Sequence, residues 1–405
     1  MSVVYFRTDG NEEIATGHIM RCLSIARACA SLSMKVCFLV SDETSTTILK
    51  ERFSFPEEFP VICLHSDYRT PEKELPALTK ILKEAPEADK KLFIDSYFVT
   101  ETYLAELKNF CPVAYLDDLL AFDYPVDFIV NYDIDNADKI PSCYRKAAFH
   151  LTGAAYTPLR EQFQNVSYEV KPEVRDVFLS AGGTDACNVM GTLLHRIFEP
   201  DTTGSSASSD ILAFLNASAL PNMSAAQNDD FSDFIQNLDY HIITSRLNSH
   251  FQELERFASR CSSVHIHMNV QDMAALMCKC DLGISAGGTT LYELCAVGVP
   301  SVSFLTADNQ LRAVRTFSDR QVISCAGDAR ISLDKTIDGL IAFLNHQKNS
   351  YPKRKESSLR MRAFVDGRGA FRIASVLKDL CGVYSFTCYR CTLPPLLTAV
   401  EGGSP

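Results

Sequence analysis

The 405-residue chain is 46% hydrophobic and 22% charged, with a formal net charge of −11. That balance suits a soluble globular protein with room for two domains, and the acidic excess argues against a general nucleic-acid binder, which needs a basic footprint. No apolar run approaches the ~20 residues that a membrane helix requires.

The chain opens on a β-rich run over residues 3–8, closed by the turn pair Asp9-Gly10. A polar loop follows, ending Thr16-Gly17-His18, and from Ile19 the apolar spacing turns helical up to Leu32. His18 thus stands where a glycine loop meets a helix N-terminus, as in a nucleotide-binding βαβ unit, although the G-x-G-x-x-G pattern is absent. Strands are expected over 35–41, 61–65, 92–97, 113–118, 127–132 and 148–152, with helices over 44–52, 72–84 and 100–110. Such alternation implies a mostly parallel sheet covered on both faces. Ligands of these sheets sit beyond the strands' C-terminal ends. His18, Asp95, Ser96, Tyr97, Asp117 and Asp118 all fall at such ends.

Periodicity lapses over 157–175, which reads as an interdomain connection. A second α/β series starts with a strand over 176–181, the turn Gly182-Gly183-Thr184-Asp185 and a helix over 189–198. Residues 200–233 are Ser-, Thr- and Asp-rich and read as a surface insertion. Strands over 240–244 and 264–267 and helices over 249–260 and 271–278 lead to Asp281-Leu282-Gly283-Ile284, a buried strand. After it comes Ser285-Ala286-Gly287-Gly288-Thr289-Thr290-Leu291-Tyr292-Glu293, a glycine turn opening a helix that Gly298 and Pro300 stop. This turn can be an anion cradle at a helix N-terminus or a plain βα turn with Thr289 or Thr290 as N-cap. A strand over 301–305, a helix from Asp308, a strand over 322–325 and a helix over 333–344 complete the series. Lys353–Lys355 and Arg360–Arg362 suggest a solvated basic helix face, and a last helix is expected over 370–381 before an irregular tail.

Fifteen cysteines, an odd number, and an opening that runs directly into a strand are read as a cytoplasmic protein with reduced thiols. Cys278-x-Cys280 lacks the usual zinc gap, and Cys388-x2-Cys391 has the gap but no second pair, so neither is taken as a metal site. Asp117-Asp118 is read as a polar strand end rather than a metal pair.

Several stretches, in order and in both halves, resemble one family. They are Gly17-His18-Ile19-Met20-Arg21-Cys22-Leu23, Asp95-Ser96-Tyr97, Tyr115-Leu116-Asp117-Asp118-Leu119, the run Phe178 to Asn188, Ser285 to Cys295, Ala307-Asp308-Asn309-Gln310 and Asp366-Gly367-Arg368-Gly369-Ala370. They resemble the UDP-2,4-diacetamido-2,4,6-trideoxy-β-L-altropyranose hydrolases of pseudaminic acid biosynthesis, a pathway serving cell-surface glycans and flagellin glycosylation. The same family name is attached to spore-coat polysaccharide proteins. The resemblance implies a GT-B-like α/β fold, two Rossmann-like domains whose parallel sheets face across a cleft. The divisions would be 1–157, a linker 158–175, a UDP-binding domain 176–365, a C-terminal helix 366–381 and a tail 382–405.

It also implies the reaction: inverting attack of water at the anomeric carbon of a UDP-linked deoxyamino sugar, with no metal or other cofactor. His18 would be the base, with Tyr97 and Asn309 facing the sugar. Gly287, Gly288, Thr289 and Thr290 would seat the diphosphate, and Glu293 would accept the ribose hydroxyls. Gly17, Thr184, Asp185 and Asn188 would line the cleft, with Asp185 equally readable as a helix cap. Arg21 would either meet a phosphate or pair within the first domain. The alternative is a GT-B glycosyltransferase that passes the sugar of a UDP donor to a separate acceptor. The sequence leaves the oligomeric state open, and a monomer is compatible with it.

Overall fold

A computed structural model describes residues 2–380 except 12, 15, 53–54, 88, 134–141 and 200–232. The insertion, but for Asp233, and the tail therefore lie outside the described residues. The first half runs β1 (Val3–Thr8), α1 (Gly17–Ser31), β2 (Lys35–Val40), α2 (Glu43–Arg52), β3 (Val61–Cys63), α3 (Leu75–Glu84), β4 (Lys90–Asp95), α4 (Glu101–Leu107), β5 (Val113–Leu116), β6 (Phe128–Asn131) and β7 (Phe149–Thr152). The second half runs β8 (Asp176–Ser180), α5 (Val189–Phe198), β9 (Asp239–Ile243), α6 (Phe251–Arg260), β10 (Val264–His267), α7 (Met273–Lys279), β11 (Leu282–Ala286), α8 (Thr289–Val297), β12 (Ser301–Leu305), α9 (Leu311–Asp319), β13 (Ser324–Asp328), α10 (Leu333–Gln347), α11 (Tyr351–Phe364) and α12 (Gly369–Asp379).

Among the described residues all strand pairs are parallel. The sheet orders are β3-β2-β1-β4-β5-β6-β7 and β10-β9-β8-β11-β12-β13. In each, the order reverses direction between the first strand and the fourth, and that switch point is where doubly wound sheets bind ligands. The β1/β4 switch lies under α1 and the residues after Asp95; the β8/β11 switch lies under the turns after Ser180 and Ala286.

Period-2 alternation builds the layers. Val4 and Phe6 face one side of the first sheet, Val3 and Tyr5 the other. Phe6 lies between Phe38 and Phe93, with ring centroids 5.4 and 5.5 Å away. The Val4 and Phe6 core continues through α1 and α12 to Phe178 and α8, so one apolar body joins the halves. The last helix returns to the first half, and Gly369 permits this: a Cβ there would lie 2.1 Å from the Thr157 carbonyl oxygen.

Two local expectations are corrected. The face of α11 is not solvated at Arg354, which is 1% exposed and donates to the carbonyls of Lys171 (2.9 Å) and Pro172 (2.6 Å). The helix clamps the connecting segment, and those carbonyls need donors. The N-cap of α8 is Gly288, not a threonine, because helical geometry already begins at Thr289. Among the described residues no helix is long and apolar enough to cross a membrane.

Candidate functional site

The first switch point holds a buried ion network. His18 is the second residue of α1 and 3% exposed; Asp95 ends the neighbouring strand β4 and is 1% exposed. Their adjacency follows from the register, in which Thr8 of β1 pairs with Asp95. His18 Nδ1 lies 2.5 Å from Asp95 Oδ1. Arg21, one helical turn on, donates Nη2 to Asp95 Oδ1 (2.8 Å) and Nε to Oδ2 (3.0 Å). Burial works to raise the Asp95 pKa, but Arg21 and His18 outweigh it and hold it below the usual carboxylate value. Asp95 is therefore ionised, and the shared hydrogen belongs on His18 Nδ1. In the neutral ring this leaves Nε2 with the free lone pair, the arrangement a general base needs.

Arg21 Nη1 reaches Asp118 Oδ2 (2.8 Å) and the Tyr132 hydroxyl (2.7 Å). All three guanidinium nitrogens are thus engaged within the first half, the pairing that the second of its two readings expects. Tyr97 is 37% exposed; its ring meets that of His18 edge-on at 4.3 Å, and its hydroxyl donates to Asp118 at 3.3 Å. Burial and the Asp118 charge push its pKa up to about 12, so it stays a neutral donor. Asp117 turns away, its carboxylate accepting from the hydroxyls of Tyr124 (2.7 Å) and Tyr144 (2.6 Å) and the Leu119 N–H (2.8 Å).

At the second switch point the N–H groups of Gly287 and Gly288 donate to the carbonyls of Phe304 (3.0 Å) and Ala286 (2.7 Å). They are occupied, against the expectation that these two glycines offer free donors, which leaves the first-turn N–H groups and hydroxyls of Thr289 and Thr290 at this turn. The two glycines differ in purpose. A Cβ on Gly287 would sit 2.4 Å from Val314 Cγ2, so packing requires glycine there. A Cβ on Gly288 or Gly17 would meet no atom within 4 Å, leaving open space beside each backbone.

Glu293 lies on the same helix, 9% exposed, and pairs with Arg160 Nη2 at 2.9 Å. Burial raises its pKa, and Arg160 offsets that only in part. Thr184 is exposed beside Gly183. Asp185 is 1% exposed and accepts from the N–H groups of Val189 (2.9 Å) and Met190 (3.0 Å), so its carboxylate caps α5. Asn188, with a left-handed φ of 52°, donates Nδ2 to Glu253 at 3.0 Å. Asp185 thus serves its own turn, whereas Asn188 reaches across to α6. Asn309 is exposed in the short turn before α9.

Helix α9 ties the two switch points together. Its Val314 packs on Gly287, and its Arg312 Nη1 donates to the Asp118 carbonyl at 3.4 Å. A second tie runs from α8, where Tyr292 donates to Asp133 and stacks edge-on against Tyr132 at 5.3 Å. The glycine turn is therefore coupled through two helices to the Asp118–Arg21–Asp95–His18 network. The sequence places Asp95 and Asp118 at the ligand-facing strand ends but assigns neither a role, and it gives no sign of Arg312. Strand order is the missing signal: only a β1–β4 neighbourhood sets Asp95 beside His18.

No family model matches this chain. It is 28% identical over 146 residues to a spore coat polysaccharide biosynthesis protein of Bacillus subtilis, covering 36% of this chain and 42% of that protein. It is 40% identical over 68 residues to a UDP-N-acetylglucosamine–N-acetylmuramyl-(pentapeptide) pyrophosphoryl-undecaprenol N-acetylglucosamine transferase of Exiguobacterium, 16% of this chain and 19% of that one. The chain thus spans less than two thirds of the length of these curated relatives. Among solved structures it resembles MurG of Acinetobacter baumannii, with a TM-score of 0.60 and 11% identity over 94% of this chain and all of that one. That likeness shows the fold, which is GT-B: two α/β domains, each on a parallel sheet.

Proposed function

We propose that the chain is a nucleotide-sugar enzyme that breaks the bond between an anomeric carbon and uridine diphosphate and passes the glycosyl group to a hydroxyl. The observation carrying this reading is the His18–Asp95 pair, which leaves Nε2 as a proton acceptor at the first switch point. An incoming hydroxyl gives its proton to Nε2 while its oxygen bonds to the anomeric carbon. The bond from that carbon to the diphosphate oxygen breaks with its electrons, and UDP leaves from the opposite side, so configuration inverts. Asp95 holds the ring and offsets the positive charge it gains. The charge growing on UDP meets the Thr289 and Thr290 donors and the positive end of the α8 dipole. Glu293 accepts the ribose hydroxyls once it exchanges its Arg160 partner for them, and Tyr97 and Asn309 face the sugar. Gly17 and Gly288 let substrate approach the backbone.

A separate acceptor is the first reading because the transferase name among the relatives and the fold both favour it. A groove of about 640 Å³ lies elsewhere on the first half, lined by Asn11, Glu13, Glu43, Thr44, Tyr68 and Arg69. Hydrolysis of UDP-2,4-diacetamido-2,4,6-trideoxy-β-L-altropyranose, as in pseudaminic acid biosynthesis, is the second reading. Its support is the sequence resemblance around His18 and the enclosure of that ring, 3% exposed, which suits a nucleophile as small as water. The test follows UDP release from a panel of UDP-sugars with and without hydroxyl acceptors. Release that requires acceptor supports transfer, release in buffer alone supports hydrolysis, and no release under any condition sinks both.

A further inference from the structure

A different group of side chains lies at the edge of the first sheet. Cys63 ends the edge strand β3, His65 follows two residues on, and Glu43 opens α2. Cys63 Sγ is 3.5 Å from His65 Nδ1, and one ligand atom from each of the three residues lies within 4.8 Å of the others. The backbone carrying them is fixed: the Leu64 N–H donates to the Val40 carbonyl and the Ser66 N–H to the Ser41 carbonyl, both at 2.8 Å. These two bonds pin the loop after β3 to the loop that leads into Glu43. His65 itself holds a left-handed φ of 50°.

The donor set is one sulfur, one imidazole nitrogen and one carboxylate oxygen. Oxygen-seeking ions such as calcium and magnesium do not select a thiol, whereas zinc takes all three donor types. Zinc bonds of about 2.3 Å to sulfur and about 2.05 Å to nitrogen, set at a tetrahedral angle, separate the two donors by about 3.6 Å. The observed 3.5 Å matches that separation, and the Glu43 carboxylate, within 4.8 Å, closes the set by a side-chain movement. We propose that Glu43, Cys63 and His65 form a three-ligand site for a zinc-class divalent cation, separate from the His18–Asp95 pair, with its fourth position open to water or a ligand. Glu43 also lines the groove beside Asn11 and Tyr68, so the ion sits at that groove's rim.

The full chain, reduced and stripped with a chelator, is titrated with Co²⁺ and then Zn²⁺. The site predicts one equivalent of Co²⁺ bound with a thiolate-to-metal charge-transfer band, displaced by one equivalent of Zn²⁺. Cys63→Ser removes the band. His65→Ala and Glu43→Gln weaken zinc binding by more than the tenfold to about hundredfold that loss of an outer-shell partner costs. All three positions are at least partly exposed, and circular dichroism checks that each variant is folded. A Cys63 thiol merely hydrogen-bonded to His65 gives no band and no stoichiometric binding, which overturns the proposal. So does a band that persists in Cys63→Ser or vanishes instead in Cys278→Ser.

Discussion

Replacing Asp95 by asparagine tests the chemistry at its narrowest point. Three donors converge on this carboxylate: His18 Nδ1–H at 2.5 Å and Arg21 Nη2–H at 2.8 Å on Oδ1, and Arg21 Nε–H at 3.0 Å on Oδ2. An asparagine offers one acceptor oxygen and an NH₂ group, so at least one of the three must face another donor. If the imidazole yields, its proton moves to Nε2 and the base is lost, about 10²–10⁴ in rate. If Arg21 yields, a buried cation loses part of its compensation. Breaking a buried pair costs about 3–5 kcal/mol, and the lower end applies because Asp118 still holds Nη1 at 2.8 Å. The expected variant is therefore both destabilised and slow. UDP release measured well below the melting temperature isolates the rate effect, and urea denaturation isolates the stability effect. Because His18 and Asp95 act as one unit, the double variant with His18→Asn is expected to be no slower than the worse single variant. Activity within threefold of wild type in Asp95→Asn, or multiplying losses in the double variant, would mean that His18 and Asp95 do not act as one unit.

Other outcomes follow from the same structure. Burial, aided by the Asp118 charge, raises the Asp133 pKa to about 6, against opposing pulls from the Tyr292 hydroxyl, Arg21 and Arg312. A carboxyl with a raised folded pKa binds more protons folded than unfolded, so its contribution to stability falls as pH rises from about 4 to about 6. Asp133→Asn should remove that slope and stabilise the protein at pH 7 by up to about 3 kcal/mol; equal denaturation midpoints for variant and wild type at both pH 5 and pH 7 would contradict it. Gly287→Ala forces a methyl against Val314 and should cost about 1–3 kcal/mol in a melting experiment. Gly288→Ala meets nothing and should leave stability within about 0.5 kcal/mol while weakening UDP binding in calorimetry. Unchanged UDP affinity in Gly288→Ala would remove that turn from the site.

Much of the architecture was legible because it is written in local periodicity. Each expected strand in the described residues appears within a few residues of its place, since β-branched and apolar runs bounded by turns have few other options. His18 and the Gly287–Gly288 turn stood out because a glycine before a helix N-terminus is a local pattern. What was not legible depends on which strands become neighbours. Nothing near Asp95 in sequence says that β4 pairs with β1, nor does anything near Arg312 say that α9 reaches Asp118. Arg354 misled for a related reason: a basic run suggests solvent, but the carbonyls of a crossing segment can take the guanidinium instead. The occupied N–H groups of Gly287 and Gly288 likewise show that a glycine motif gives the place of a turn, not which of its donors remain free.

The most direct test compares wild type with His18→Asn in two measurements on one UDP-sugar, equilibrium binding and UDP release in the presence of acceptor or water. If His18 is the base, binding is retained within a few fold while release falls by at least about 100-fold, the part a general base contributes. Release at the wild-type rate in His18→Asn would contradict that role.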